Sequence, residues 1–225
     1  MSRFFLGLTG ASGHPYAEGV IRALVAAGQD VDLAVTEAGA KVLRHELGVD
    51  AGKRGERLER NLPGWLGEEV ASRVRVFQTG AVEAPPSSGT SLTGGVILCP
   101  CSMGTMARVS AGFSSNLVER AADVALKEGR RLLLVPRETP LSEIHLENML
   151  RLARMGATIL PAMPGFYHQP ETKQDLVDHV VGKVLDRLGI ENRVGARWKG
   201  LPRREEDPGT EPPTGGGSSG EEEAP

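Results

Sequence analysis

Phe4-Phe5-Leu6-Gly7-Leu8, then Thr9, then Gly10-Ala11-Ser12-Gly13, decides the fold of this chain: an apolar run ends, small residues turn the backbone, and a helical pattern follows. A short, continuously apolar stretch is what a strand covered on both faces of a parallel sheet requires. Glycines at such a junction let the backbone turn sharply and present its N–H groups, with the positive end of the next helix, to an anion such as phosphate. The same glycine pair serves any tight strand-to-helix turn, so Gly-x-x-Gly alone leaves both readings open. It is not the dinucleotide fingerprint, because the third glycine falls at Gly19 and Glu37 closes no ribose site. A mononucleotide such as FMN fits this loop better than NAD does.

The pattern repeats outward from this junction. Apolar runs at 4–8, 31–35, 74–77, 96–100, 132–135 and 158–160 have helical patterns between them at 16–27, 37–47, 115–128, 142–155 and 173–189. Strands alternating with helices predict an α/β fold, a flavodoxin-like (Rossmann-like) doubly wound parallel sheet with helices on both faces. In the last helix Leu176, Val177, Val180, Val181, Val184, Leu185 and Leu188 fall within one half-cylinder, the face that packs. Residues 48–72, polar and weakly patterned around a lone Trp65, and the Pro/Ser/Gly stretch 79–95 read as long irregular loops.

A chain of 225 residues, 40% hydrophobic and 4% aromatic, supplies one sizeable core, which predicts a single domain over residues 1–202. Residues 203–225, rich in Pro, Gly, Ser and Glu, cannot bury a core and read as a disordered acidic tail. That tail carries a net charge of −5, so the overall −3 conceals a body near +2, and nothing in the balance asks for nucleic acid. Cys99 and Cys101 stand too close for an ordinary disulfide and are too few for a metal cage, so no metal is expected. Reduced thiols, the lack of a small-residue cleavage site and the lack of about 20 consecutive apolar residues point to a cytoplasmic protein with no membrane contact.

Ligands of open parallel sheets sit beyond the carboxyl ends of the strands. Chain direction therefore places Gly10–Gly13, Thr36, Pro100–Thr105 and Pro136–Thr139 on one edge of the molecule. Ser102 and Thr105 make a second hydroxylated loop, suited to a phosphate, a ribityl chain or a flavin edge, or simply to capping a helix. Arg120 and Lys127 share one stripe of their helix, opposite Leu117, Val118, Ala121, Ala122 and Ala125, and either form a phosphate site or a solvated face in which Asp123 pairs with one of them. Arg137 and Glu138 leave a strand where a guanidinium can fork onto phosphate and a carboxylate can move a proton. Tyr167 offers a hydroxyl from another loop, and Lys183 lies at the edge of the apolar face of its helix.

Several segments taken together resemble a known family. Gly10-Ala11-Ser12-Gly13, Cys99-Pro100-Cys101-Ser102-Met103-Gly104-Thr105, the run Asn116 to Glu128, Pro136-Arg137-Glu138-Thr139-Pro140 and Pro164-Gly165-Phe166-Tyr167-His168-Gln169-Pro170 are similar to flavin prenyltransferases of the UbiX type, over residues 3 to about 199. The resemblance implies a dodecamer that joins FMN to dimethylallyl monophosphate without a metal, alkylating flavin N5 and then closing a ring at C6. The product, prenylated FMN, is the cofactor of UbiD-type decarboxylases, with ubiquinone biosynthesis one pathway among those left open. Carried over by position, Gly10, Ala11, Ser12, Gly13, Thr36, Ser102, Thr105 and Arg120 would hold FMN. Lys127, Arg137, Tyr167 and Lys183 would surround the prenyl phosphate, Glu138 would relay a proton with it, Glu46 would assist proton removal at ring closure, and Trp198 would lie beside the allylic group.

Two positions depart from the family pattern. Lys183 stands where Arg is usual, which keeps the charge and loses the bidentate fork, and Val82 stands where some members place a Trp. An FMN-dependent cysteine decarboxylase is the neighbouring enzyme reading, but those proteins carry a Pro-Ala-Ser-Ala-Asn-Thr loop where this chain has Pro100-Cys101-Ser102-Met103-Gly104-Thr105, and a catalytic His after the first helix with no counterpart here. A non-catalytic FMN carrier is the other alternative. Retention of Lys127, Arg137, Glu138 and Tyr167 argues against it, because storing FMN needs no second phosphate site.

Overall fold

The apolar runs pair edge to edge into one six-stranded sheet in the computed structural model, which describes residues 2–91, 94–197 and 200. The strands are β1 (Arg3–Leu8), β2 (Asp30–Val35), β3 (Val74–Phe77), β4 (Gly95–Cys101), β5 (Leu132–Pro136) and β6 (Thr158–Ile159). Every pairing is parallel and the order is β3-β2-β1-β4-β5-β6. The chain therefore winds outward in one direction from β1 and then in the other from β4, and the loops that leave these two strands diverge at a switch point.

Alternation along β1 divides the core. Phe4, Leu6 and Leu8 pack on one face with α1 (His14–Ala26), α2 (Glu37–Leu47), α3 (Leu58–Leu66) and α8 (Lys173–Leu188). Phe5 packs on the other with α5 (Met103–Ser110), α6 (Leu117–Lys127) and α7 (Glu143–Arg154). Gly7 also faces that second side, where α6 crosses close to the sheet: a Cβ there would stand 2.7 Å from Val118 Cγ1 and 2.8 Å from Leu98 Cδ2.

The doubly wound architecture and all six strands match the sequence reading to within a residue or two. Residues 48–72 do not form a long loop. They hold α3 and α4 (Glu68–Ala71), and Leu58, Leu62 and Leu66 make a buried stripe at i, i+4, i+8 that mixed composition hid. The Ser102 loop likewise opens a full helix, α5, and the described part of the stretch 79–95 contains a 3₁₀ turn at Pro85–Ser87. Cys99 and Cys101 are free and buried; burial pushes the Cys101 thiol up to about 12 and the Cys99 thiol higher still, which makes both inert apolar residues. Trp198 and the acidic stretch 203–225 lie outside the described residues. Among those described, no helix is long and apolar enough to cross a membrane.

Gly7→Ala forces a methyl into the α6–β4 contact and should lower unfolding stability by about 1–3 kcal/mol. Chemical denaturation checks this, and Val118→Ala in the same chain should recover part of the loss.

Candidate functional site

Both loops of the switch point are held by one hydroxyl. Thr9, fully buried, donates from Oγ1 to Pro100 O at 2.7 Å and accepts from Ser102 N at 2.7 Å, while its own N–H reaches Pro100 O at 3.3 Å. Loop 1 (9–13) and the start of α5 are thereby fixed to each other. Ser102 caps α5 by accepting from Thr105 N at 3.3 Å, and its hydroxyl lies 3.1 Å from that of Thr105. Behind them Arg108 donates to Thr105 Oγ1 at 3.3 Å and to the fully buried Glu119 of α6. Burial alone would raise the Glu119 carboxyl, but hydrogen bonds from Ser115 and Arg108 outweigh it and hold the group below its ordinary value. Thr36 joins the same edge as the cap of α2, accepting from Gly39 N at 3.1 Å, with its own N–H on Leu8 O at 2.9 Å.

The positive end of α1 is already occupied by an anion of the protein itself. Gly13, at φ 119°, turns the chain so that Gly13 N and His14 N converge on Glu46 from the last turn of α2. Glu46 accepts from Gly13 N at 3.0 and 3.2 Å, from His14 N at 2.8 Å, and from the Ser12 hydroxyl. Partial burial raises its carboxyl, but these donors prevail and keep it below the usual value. The expectation that a phosphate docks on these amides is therefore corrected: Glu46 takes the place of that anion, and the loop leaves only its outer side, with the exposed Ser12, for a ligand.

Arg137 reaches the same loop from the end of β5, its Nε donating to Ser12 O at 3.2 Å. Arg137 and Glu138 line an apolar groove of about 450 Å³ with Pro136, Leu141, Met149 and Met163. Glu138 accepts from Thr139 N at 3.0 Å and is otherwise exposed.

The remaining candidates stand apart within one chain. Tyr167 and Lys183 share a second, polar hollow of about 220 Å³ with His179, Asp186 and Arg197, which has no lining residue in common with the Arg137 groove. Tyr167 meets the His168 and His179 rings edge-on, and those two imidazoles stack 5.0 Å apart; burial, then the neighbouring His168 and Lys183, lower the His179 pKa. Arg120 pairs with Asp123 at 3.3 Å and Lys127 with Glu128 at 3.0 Å. The reading that gathers Lys127 with Arg137 is not met inside a single chain. Leu117, at the start of α6, donates to Thr79 O beyond the end of β3, so the helix runs back along the sheet and delivers Lys127 toward the opposite edge.

Sequence reasoning missed three residues here. Thr9 was hidden because one hydroxyl beside a glycine loop has no periodicity. His14 was hidden because a polar residue at a helix start reads as exposed, yet it is fully buried and neither ring nitrogen has a hydrogen-bond partner. Burial lowers its pKa to about 4, against the opposing pull of Glu46. Glu119 was hidden because a carboxylate flanked by apolar residues gives no sign of its partner. No group of three or more His, Cys, Asp or Glu side chains that could hold a metal ion occurs among the described residues.

Residues 1–186 match the family model described as Flavoprotein. The chain is 48% identical over 195 residues to a flavin prenyltransferase UbiX of Halalkalibacterium halodurans, covering 87% of this chain and 92% of that protein. Among solved structures it is similar to AnUbiX (PadA1) in complex with FMN and dimethylallyl pyrophosphate, at TM-score 0.78 and 35% identity over 89% of this chain and 99% of that one. It is also similar to a dodecameric FMN-dependent Ubix-like decarboxylase from Escherichia coli O157:H7, at TM-score 0.76 and 40% identity over 88% and 100% of the two chains.

Thr9→Val keeps the shape and leaves the Pro100 carbonyl and Ser102 amide without their partner, so it should cost about 1–3 kcal/mol of stability and weaken FMN binding. Thr9→Ser should retain both, as read by thermal melting and flavin titration. The folded His14 pKa of about 4 lies below its unfolded value of 6.5, so its contribution is fully present above pH 6.5 and is lost as pH falls toward 4. The full loss is about 3 kcal/mol. Denaturant midpoints measured from pH 7 to pH 4.5 should fall steeply in the parent and less steeply in His14→Ala.

Proposed function

Because the chain belongs to the flavoprotein family and, within it, to the UbiX flavin prenyltransferases, we propose that it transfers the dimethylallyl group of dimethylallyl monophosphate to N5 and C6 of reduced FMN, making prenylated FMN. The observation that carries this reading is the meeting of Ser12, Glu46 and Arg137 at one loop, with Glu138 beside them at the mouth of an apolar groove. A flavin binder alone has no need of an acid, a base and a guanidinium around a pocket suited to a branched hydrocarbon. The donor set also fits FMN: neutral hydroxyls at Ser12, Thr36, Ser102 and Thr105, with Gly10, Ala11 and Gly13 framing the loop, suit a ribityl chain and the polar edge of a flavin ring.

In the reaction, the allylic C–O bond breaks while new bonds form to N5 and C6. N5 and C6 each give up a hydrogen, the central alkene carbon gains a proton, and inorganic phosphate leaves with another. Arg137, Tyr167, Lys183 and Lys127 stabilise the charge that grows on the leaving phosphate. Glu138 exchanges a proton with that phosphate, and Glu46 receives the proton released at ring closure.

A homo-oligomer, in keeping with the dodecameric relative, would bring Lys127 and Arg120 of one copy to the loops of another. Ile144, Leu146 and Leu150 of α7, with Met163 and Phe166, expose large apolar side chains that suit such contacts. Trp198 would complete the prenyl site. Delivery of prenylated FMN to a UbiD-type decarboxylase follows from the product's chemistry, with ubiquinone synthesis one setting, and two free buried thiols are in keeping with a cytoplasmic location.

Anaerobic incubation of the protein with reduced FMN and dimethylallyl monophosphate should yield an extracted flavin heavier by one C5 unit in mass spectrometry. Unchanged flavin, with FMN bound, would overturn the reading. Glu138→Gln should bind FMN normally and form the product slower by about a hundredfold or more, in the range usual for loss of a proton-transfer group.

A further inference from the structure

The side chain of His14 is the feature that the function described above leaves unused. It is 0% exposed, sits at the first residue of α1, and places Nδ1 3.5 Å from Glu46 Oε2 without closing a hydrogen bond. Nε2 also has no partner. A buried imidazole without partners sacrifices hydrogen bonds it would make in water, and such a group calls for a reason. Here the one charged acceptor beside it is Glu46.

We propose that His14 is a positioning residue for Glu46: its neutral imidazole presents Nδ1–H to the carboxylate from the dry side of loop 1, opposite the Ser12 hydroxyl, and keeps the base ionised and aimed at the ligand side. The inference rests on the reading of Glu46 as the group that receives the ring-closure proton.

A neutral imidazole has one N–H, and the electrostatic field of a carboxylate 3.5 Å away favours its location on Nδ1. The amides of Gly13 and His14 hold Glu46 from the helix end, and Ser12 holds it from the outer side. When a flavin competes for the Ser12 hydroxyl, the carboxylate loses one of its donors. A slight rotation of the imidazole then replaces that donor without admitting water. Beside loop 1, burial holds the Tyr16 phenol above its ordinary value and leaves it neutral, and the charged groups nearby are engaged elsewhere. Arg137, from the loop after β5, donates to Ser12 O. Glu18 of α1 is held by Arg22 and by Trp65 of α3, and Asp50, beyond α2, is held by Arg57.

Single-turnover prenylation, followed from pH 5 to pH 9 with reduced FMN and dimethylallyl monophosphate in excess, tests the proposal in the full-length protein. His14→Ala should move the acid limb of the rate profile upward by roughly half to one pH unit, the worth of one neutral donor to a carboxylate. His14→Asn, whose Nδ2–H takes the place of Nδ1–H, should restore the parent limb, and His14→Gln, which offers a donor at the Nε2 position, should not. Flavin titration and melting establish that each variant folds; should the Ala variant fail, the Asn and Gln pair still decides. Glu46→Gln separates the two readings. If it is slow and the His14→Ala limb coincides with the parent, or if Asn does no better than Gln, the role of His14 is overturned and that of Glu46 stands. If Glu46→Gln turns over like the parent, both are overturned.

Discussion

The Thr9 hydroxyl, clamped between the Pro100 carbonyl and the Ser102 amide, is the contact on which the binding edge depends. At a switch point, neighbouring loops leave the sheet toward opposite faces, so nothing in the strand pairing fixes the distance between them. A water-filled cleft there would let each loop relax by itself. One hydroxyl that both donates and accepts, buried where water cannot compete, converts two loops into one rigid surface. The hydroxyls of Ser102 and Thr105 inherit their positions from that clamp, and the Arg108–Glu119 pair braces them from α6.

Much of this was legible before any coordinates, for a physical reason. A parallel sheet covered on both faces must be written as unbroken apolar runs, so β1, β2, β4 and β5 announced themselves, and chain direction alone placed their loops on one edge. The resemblance to a family supplied Glu46, which no local pattern singles out. Helix α3 was not legible because its three buried leucines are spaced among Glu59, Arg60, Asn61 and Pro63, a composition that reads as loop until a surface exists to receive the leucines. His14 and Thr9 were not legible because their roles are set by partners 32 and 91 residues away, and long-range polar pairing leaves no periodic trace.

The glycine loop shows how a correct local inference can name the wrong anion. Exposed amides at a helix start attract negative charge, and the chain satisfies that demand from within, through Glu46. The consequence is chemical. A carboxylate held by these protein donors is kept ionised and in place, and the outer side of the loop, at Ser12, is left without a demand for a second anion. The cost falls on basicity, since each donor that orients the carboxylate also weakens it as a proton acceptor.

Helix direction sets the last constraint. An α6 that begins at the loop edge must, after three turns, end near the other edge, so no rearrangement of side chains within one chain carries Lys127 to Arg137 while Val118 stays packed on Gly7. The span of α6, about 1.5 Å per residue over 11 residues, exceeds what a lysine side chain can recover. Arg120 and Lys127 on α6, and Tyr167 and Lys183 in their shared hollow, are cationic or hydrogen-bonding groups, and each is at least partly exposed. The sheet therefore fixes Ser12, Glu46 and Arg137 at its switch point and leaves these four groups on faces away from it.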